Sequence, residues 1–258
     1  MKTLLFLDLD DTVFQTQAKG LSEHACAPHE LEPTAYLESG MAHGFSTPPQ
    51  RQFLKLMRTL GIDIIPTTAR HNASYQRVQL DIPPPNWVII NHGGTLLDSS
   101  NQPHPDWSAQ MRALMQPWLP VLAEFHKQIN DYAAQHAPGL HARLISDYGQ
   151  TFYVLVKDRD KQHAISLPRL RSELLHPLLA PYPELTLHHN GNNLTVMPKA
   201  LDKAHAVRFV IEHYRQSQPE LLILGAGDSQ SDADFLKLCD YALIPKHAQL
   251  MQNLSKAL

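Results

Sequence analysis

Three carboxylates and a hydroxyl fall within five residues at Asp8-Leu9-Asp10-Asp11-Thr12, directly after the apolar run Leu4-Leu5-Phe6-Leu7. Acids packed this closely repel one another unless a cation lies among them. A hard divalent ion with oxygen ligands, Mg2+ first, is the natural partner. On a strand, Asp8 and Asp10 would point to the same side, so one can attack while the other handles protons. A solvated acidic turn ending a strand has the same composition, so the rest of the chain must arbitrate. Thr68, Lys203, and the acids of Gly227-Asp228-Ser229-Gln230-Ser231-Asp232 are residue types that would suit phosphoryl transfer alongside them. A hydroxyl and an ammonium can hold phosphoryl oxygens as charge shifts. Further acids can anchor the ion that offsets repulsion between an anionic nucleophile and an anionic substrate. Each residue also has an ordinary use: a strand-end hydroxyl, a surface lysine, acids in a turn before a helix.

These residues need elements to carry them. The short apolar run before Asp8 reads as a buried parallel strand that delivers its acids to the carboxyl edge of a sheet, where open α/β sheets bind ligands. Ile62–Pro66 and Trp87–Ile90 are further strands, ending in Thr67-Thr68-Ala69-Arg70 and Asn91-His92-Gly93-Gly94. Thr47-Pro48 opens a helix with Phe53, Leu56, Met57 and Leu60 on its apolar face, closed by Gly61. A second helix is expected over 73–80. The strand–helix alternation predicts a doubly wound, mostly parallel α/β sheet. Between them, 15–46 lacks a clear period and reads as a hairpin or mobile flap around Gly40–Gly44. After the Asp98–Pro103 linker the rhythm changes. A long helical stretch with Met111, Leu114, Met115, Trp118, Leu122, Phe125, Ile129 and Tyr132 on one face should be split by Pro117 and Pro120. A strand pair turning at 147–150, a helix near 167–179 and strands near 185–188 and 194–197 complete an α+β insert. The sheet then resumes with a helix over 201–215 and strands at 221–224 and 241–244. The division is 1–95 with 198–258 as core, and 96–197 as insert.

The 258 residues are 43% hydrophobic and 18% charged with net charge −3, so no basic field invites nucleic acid. Two cysteines, Cys26 and Cys239, cannot build a disulfide framework or zinc site. The apolar residues before Asp8 are too few for a signal-peptide core, and no stretch approaches a membrane span, so a cytoplasmic enzyme is expected.

DLDDT at 8–12, Thr68, Lys203 and GDSQSD at 227–232 occur in the order of the four motifs of the haloacid-dehalogenase superfamily, which the chain resembles most in its Cof-type and sucrose-phosphate-phosphatase-like branch. Thr68-Ala69-Arg70 is similar to that branch's TGR step, and the insert stands where its α/β cap stands. The resemblance implies a Mg2+-dependent phosphatase acting on a small phosphorylated metabolite, a sugar or polyol phosphate, through an aspartyl-phosphate. It makes Asp8 the nucleophile and Asp10 the acid/base. It puts Mg2+ on the Asp8 carboxylate, the Asp10 main-chain carbonyl and Asp228, with Asp232 holding a metal-bound water or Lys203. Thr68 and Lys203 would bind phosphate. Arg70 is either a substrate contact or a structural ion pair. Asn193, with His188, His189 and Asn190 nearby, could read sugar hydroxyls. Asp10 favours phosphoryl chemistry over carbon–halogen cleavage. Departures are Ser231 where the branch has Asn, Ala69 for Gly, and the long 15–46 segment. A phosphomutase on the same scaffold and a non-catalytic phospho-acceptor are the alternatives.

Overall fold

The structure, a computed structural model, describes residues 1–160 and 162–257, apart from the side chains of residues 190 and 254–257. From the N-terminus come β1 (Lys2–Leu7), β2 (Gln15–Thr16), α1 (Gln17–Ser22), β3 (Glu32–Tyr36), β4 (Ala42–Ser46), α2 (Pro48–Thr59), β5 (Asp63–Pro66), α3 (Asn72–Tyr75), β6 (Trp87–Ile90) and β7 (Thr95–Asp98). Then follow α4 (Pro105–Met115), α5 (Leu119–His136), β8 (Leu140–Asp147), β9 (Gln150–Asp158), α6 (His163–Leu170), α7 (His176–Leu179), β10 (Leu185–Asn190) and β11 (Asn193–Pro198). The chain closes with α8 (Lys203–Ser217), β12 (Leu221–Ala226), α9 (Ala233–Leu236), β13 (Tyr241–Leu243) and α10 (Gln249–Ala257). It divides into two compact units: Met1–Ser108 with Asp202–Leu258, and Ala109–Leu201.

In the first unit a parallel sheet runs β13-β12-β1-β5. Its inner strand β1 carries Leu4–Leu7, all fully buried. Parallel strands are covered on both faces, which is why this run shows no polar alternation. A bridge between Thr67 and Ile89, with Thr68 N–H donating to the Ile89 carbonyl at 2.8 Å, attaches β6 beyond β5. The fold is therefore α/β with a parallel sheet. β1, β5 and β12 all end on one edge, and Asp8, Thr68 and Asp228 follow within two residues of those ends.

The start and stop of α2 come from local sequence. Gln50 Oε1 accepts from both the Thr47 N–H (2.9 Å) and its hydroxyl (3.0 Å). At the other end Gly61 takes φ +66, and Ile62 N–H reaches back to Met57 O at 3.2 Å, a Schellman closure. Of the expected apolar face Met57 is buried and Phe53 packs against the core, whereas Leu56 and Leu60 are exposed and Leu54 is buried instead. Gln50, Leu54 and Met57 repeat at helical spacing, and Gln50 is buried because its amide bonds the Thr12 carbonyl and Gln15 side chain.

The expected helix over 73–80 is a single turn, α3. Residues 77–79 are drawn instead to the free edge of β3. Tyr36 N–H donates to Arg77 O (3.1 Å) and Gln79 N–H to Thr34 O (2.7 Å). Tertiary backbone pairing overrides helix propensity here. That edge belongs to the 15–46 segment, which realises the hairpin alternative: β2-β4-β3 form an antiparallel sheet. Its Ala35 shares the core cluster with Phe14 and Leu54.

The first unit also keeps the chain past residue 96. β7 pairs with β6, and the Trp107 indole N–H donates to Gly93 O at 3.0 Å. The second unit holds an antiparallel sheet in the order β10-β11-β9-β8. A two-residue turn at Tyr148 (φ +51) and Gly149 (φ +75) joins β8 to β9. A 3-10 turn at Gln116–Trp118 separates α4 from α5, as Pro117 and Pro120 require. Asn130 on α5 closes the outer edge of β8, pairing its amide with the Ala142 N–H (3.1 Å) and carbonyl (3.3 Å).

Gly93 adopts φ +93, and a Cβ there would lie 2.5 Å from Asp202 O. Gly40 at φ +80 has open space around it. Urea unfolding should show Gly93→Ala losing about 3 kcal/mol or more, and Gly40→Ala only about 1 kcal/mol.

Candidate active site

The β1 strand delivers Asp8, whose N–H continues the ladder by bonding Ala226 O at 2.9 Å. The chain then folds into a tight turn. Val13 N–H bonds Leu9 O at 2.9 Å, Asp11 N–H bonds Phe14 O at 2.7 Å, and Asp11 sits at φ +59. This turn brings the Thr12 hydroxyl to Asp8 Oδ2 at 3.0 Å. In the sequence nothing but its place in the motif marks Thr12.

Lys203 opens α8, whose cap is Asp202 accepting from Ala204 N–H at 2.7 Å. Its ammonium donates to Asp8 Oδ1 and Asp232 Oδ1, both at 2.7 Å. Side-chain exposure is 3% for the lysine, 7% for Asp8 and 0% for Asp232, so the bridge is dry. The other oxygen of Asp232 accepts from the Asp228 N–H (3.1 Å), the Ser229 N–H (3.0 Å) and the Ser229 hydroxyl (2.9 Å). Asp232 thus shapes the loop after β12. Gly227 lets it come close, since a Cβ there would meet Asp232 Cβ at 2.6 Å. Ser231 bonds Ser229 hydroxyl to hydroxyl at 2.8 Å. Leu250 N–H bonds Asp228 O at 2.9 Å, tying α10 to the same loop.

Asp8, Asp228 and Asp232 each offer an oxygen within 4.8 Å of the others. Among the described residues, the Asp228 carboxylate accepts no hydrogen bond and makes no ion pair. Burial, then the charges of Asp8 and Asp232, pushes its carboxyl up to about 8. Burial, reinforced by Asp232, lifts Asp8 to about 7. Asp232 moves the other way: burial opposes ionisation there too, but Lys203 and the Ser229 bonds prevail and lower it. Lys203 is raised, because Asp232 and Asp8 outweigh its own desolvation. The arrangement is a Lys203 bridge to Asp232 and Asp8 at equal distances, with Asp8 and Asp228 left as buried carboxyls short of positive charge. An oxygen-binding cation fits that shortage.

Asp10, expected to offer its main-chain carbonyl to the ion, turns its side chain away from these three acids. Arg70 holds it in a two-pronged pair, Nε to Oδ2 at 2.8 Å and Nη2 to Oδ1 at 2.7 Å. Arg70 thus forms an ion pair with the carboxylate two residues after Asp8. The guanidinium also donates to Ser74 O (3.2 Å) and lies 5.2 Å from the Phe14 ring centroid. Thr68 is buried, and its hydroxyl accepts from the Arg70 N–H at 3.2 Å. His92, at φ +55, donates its N–H to Thr68 O at 3.3 Å. Asn193 lies in the second unit, opening β11 and paired in register with Asn190. The Asn190 side chain falls outside the described residues. Two further contributors carry no sequence signal of their own: Lys19 on α1, whose ammonium reaches Asp11 Oδ2 at 2.6 Å, and Ser229, which donates to Asp232. No spacing rule connects a lysine in an aperiodic segment to an acid eight residues earlier.

A parallel sheet that gathers Asp8, Thr68, Lys203 and Asp228 at one edge, together with the family match over most of the chain, defines a haloacid-dehalogenase-like phosphatase. Residues 48–250 match the family model described as sucrose-6F-phosphate phosphohydrolase, and the chain belongs to that family of phosphoric monoester hydrolases acting on sugar phosphates. The match begins after the DLDDT motif, so the weight on Asp8 comes from its contacts. No curated protein sequence matches the chain. Among solved structures, sucrose-phosphatase from Synechocystis sp. PCC6803, determined with sucrose and phosphate, is similar at TM-score 0.53 and 15% identity, covering 100% of this chain and 88% of that one. The C-terminal domain of C. albicans trehalose-6-phosphate phosphatase gives 0.52 and 14%, covering 92% and 73%. A Thermoplasma acidophilum protein gives 0.52 and 14%, covering 98% and 89%. At these identities the likeness is one of fold. Among the described residues, no helix is long and apolar enough to cross a membrane.

Replacing the bridging ammonium leaves two buried acids uncompensated, so Lys203→Met should lower stability in urea by about 3–5 kcal/mol without metal. The acids also set a pH slope. Asp8 and Asp228 carry folded-state values of about 7 and about 8 against an ordinary 3.8, so the folded state holds extra protons across that window. Their stabilising share is complete below about pH 4 and is lost as pH rises towards 8. Urea midpoints in EDTA should fall from pH 5 to pH 8, and Asp228→Asn should flatten that fall.

Proposed function

We propose that the chain hydrolyses a small sugar or polyol phosphate by attack of Asp8 on phosphorus, forming and then hydrolysing an aspartyl-phosphate. The observation that carries this is the buried Lys203 bridge between Asp8 and Asp232, which aims one Asp8 oxygen and leaves the Asp228 carboxylate beside it unpaired. Lys203 Nζ and the Thr12 hydroxyl hold both Asp8 oxygens in place, lowering the orientational cost of attack. Thr68 and Lys203 are assigned to the phosphoryl oxygens, where donors matter most as charge builds. Asp10 is assigned proton transfer to the leaving oxygen and then from water. Its side chain is 46% exposed, so it can turn from Arg70 towards substrate.

Mg2+ fits the donor set: Asp8 and Asp228 would hold it by side chain and Asp10 by its main-chain carbonyl. Asp232, whose oxygens are already engaged, would act through Lys203 and the loop. When bound, the ion would offset repulsion between the carboxylate and the phosphate dianion. The second unit, Ala109–Leu201, is assigned substrate selection, with Asn193 a candidate for sugar hydroxyls. The free thiols of Cys26 and Cys239 suit a reducing compartment, and the reading places the enzyme in the cytoplasm.

Asp8→Asn should cut phosphate release from p-nitrophenyl phosphate and from a panel of sugar phosphates by about a thousandfold or more, with the fold intact by circular dichroism. Residual turnover near the wild-type rate would remove Asp8 from the nucleophile's place. Mg2+ must displace protons from carboxyls raised to about 7 and about 8. Calorimetry should therefore show proton release at pH 7 and affinity that increases between pH 6 and pH 8.

A further inference from the structure

Five carboxylates crowd the ends of β1 and β12: Asp8, Asp10, Asp11, Asp228 and Asp232. Three cations answer them. Lys203 bridges Asp8 and Asp232, Arg70 takes Asp10, and Lys19 takes Asp11. With every group ionised, two negative charges are left, the charge of one divalent ion. The first two cations belong to the assigned chemistry. The third pair, Lys19–Asp11, has had no task.

Its geometry is specific. Asp11 takes φ +59, a region few non-glycine residues enter, in the turn between Asp10 and Thr12. Lys19 projects from α1, whose cap is the Thr16 hydroxyl accepting from the Lys19 N–H at 3.4 Å. β2, immediately before α1, pairs with β4, so the lysine stands on a packed element. The ammonium meets Asp11 Oδ2 at 2.6 Å with both side chains half-buried, at 41% and 24% exposure. Charge couples the pair to the Asp228 loop: Asp11 adds to the upward push on Asp228, and Asp228 helps raise Lys19.

We infer that Lys19 is an electrostatic positioning residue, which neutralises Asp11 so that a phosphate dianion can approach Asp8 against a smaller negative field. This rests on the reading of Asp8 as the phosphate acceptor. Without Lys19, the Asp11 carboxylate adds a full charge to a cluster that must admit an anion. That charge acts with opposite sign on the two ligands of the site, hindering phosphate and favouring Mg2+. A tether that merely held the turn in shape would weaken both ligands when cut. An ammonium touching the substrate would weaken phosphate binding whatever happened to Asp11.

The test uses the full chain with Lys19→Met, Asp11→Asn and the double variant. Mg2+ alone is titrated by calorimetry, and inorganic phosphate is titrated in saturating Mg2+. Lys19→Met should weaken phosphate by about fivefold and tighten Mg2+ by about threefold, and both shifts should shrink in high salt. The double variant should return both ligands to within about twofold of wild type, since the unpaired charge is gone. Loss of both ligands in Lys19→Met, failure of Asp11→Asn to rescue phosphate, or no change in any variant would each overturn the inference while leaving the hydrolase reading intact. A wild-type chain that binds neither Mg2+ nor phosphate would remove both.

Discussion

A buried ammonium held 2.7 Å from two carboxylates is the contact on which the rest of this site depends. Lys203, Asp8 and Asp232 come from the start of α8, the end of β1 and the loop after β12, so the bridge joins three segments distant in sequence. Burying these charges is costly, and the cost is offset only while all three meet with good geometry. The surrounding architecture serves that condition. Gly93 leaves room for the backbone at Asp202, Asp202 caps the helix that starts with Lys203, and Gly227 admits Asp232. Asp232 then spends its second oxygen on the Asp228–Ser229 backbone, so the same residue orders the lysine and the loop.

The bridge also explains why the site is unbalanced. One lysine cannot neutralise three neighbouring acids. Asp232 takes the larger share, and Asp8 and Asp228 are left with raised affinity for protons. Two buried carboxyls in this state favour an added positive charge. Arg70 and Lys19 confine the imbalance by pairing the two acids of the turn that are not part of it. Membership of the sucrose-6F-phosphate phosphohydrolase family makes the chain a phosphatase.

Several elements could be read before any coordinates, because their causes are local. The four apolar residues before Asp8 form a two-face-buried strand, and Thr47-Pro48 with Gly61 bounds α2. Pro117 and Pro120 divide α4 from α5. Other elements had no local cause. Residues 77–79 extend because the β3 edge offers hydrogen bonds. The 15–46 segment has no period because its strands are short and bulged, and Gln15, Gln50 and Phe45 satisfy one another across long separations. The buried face of α2 includes a glutamine for the same reason, and no hydrophobic pattern would select it.

For the site, residue type and order carried a good deal. Acid clusters, a lone threonine and a lysine at strand and helix ends are chemically conspicuous in one dimension, since their repulsion and placement demand a common purpose. Which acid meets which cation was not written there. The pairing of Arg70 with Asp10 and of Lys19 with Asp11 carried no mark in the sequence. Charge pairing depends on distances of a few ångströms between residues tens to hundreds of positions apart. Those distances exist only once the sheet, the turn and α8 have packed.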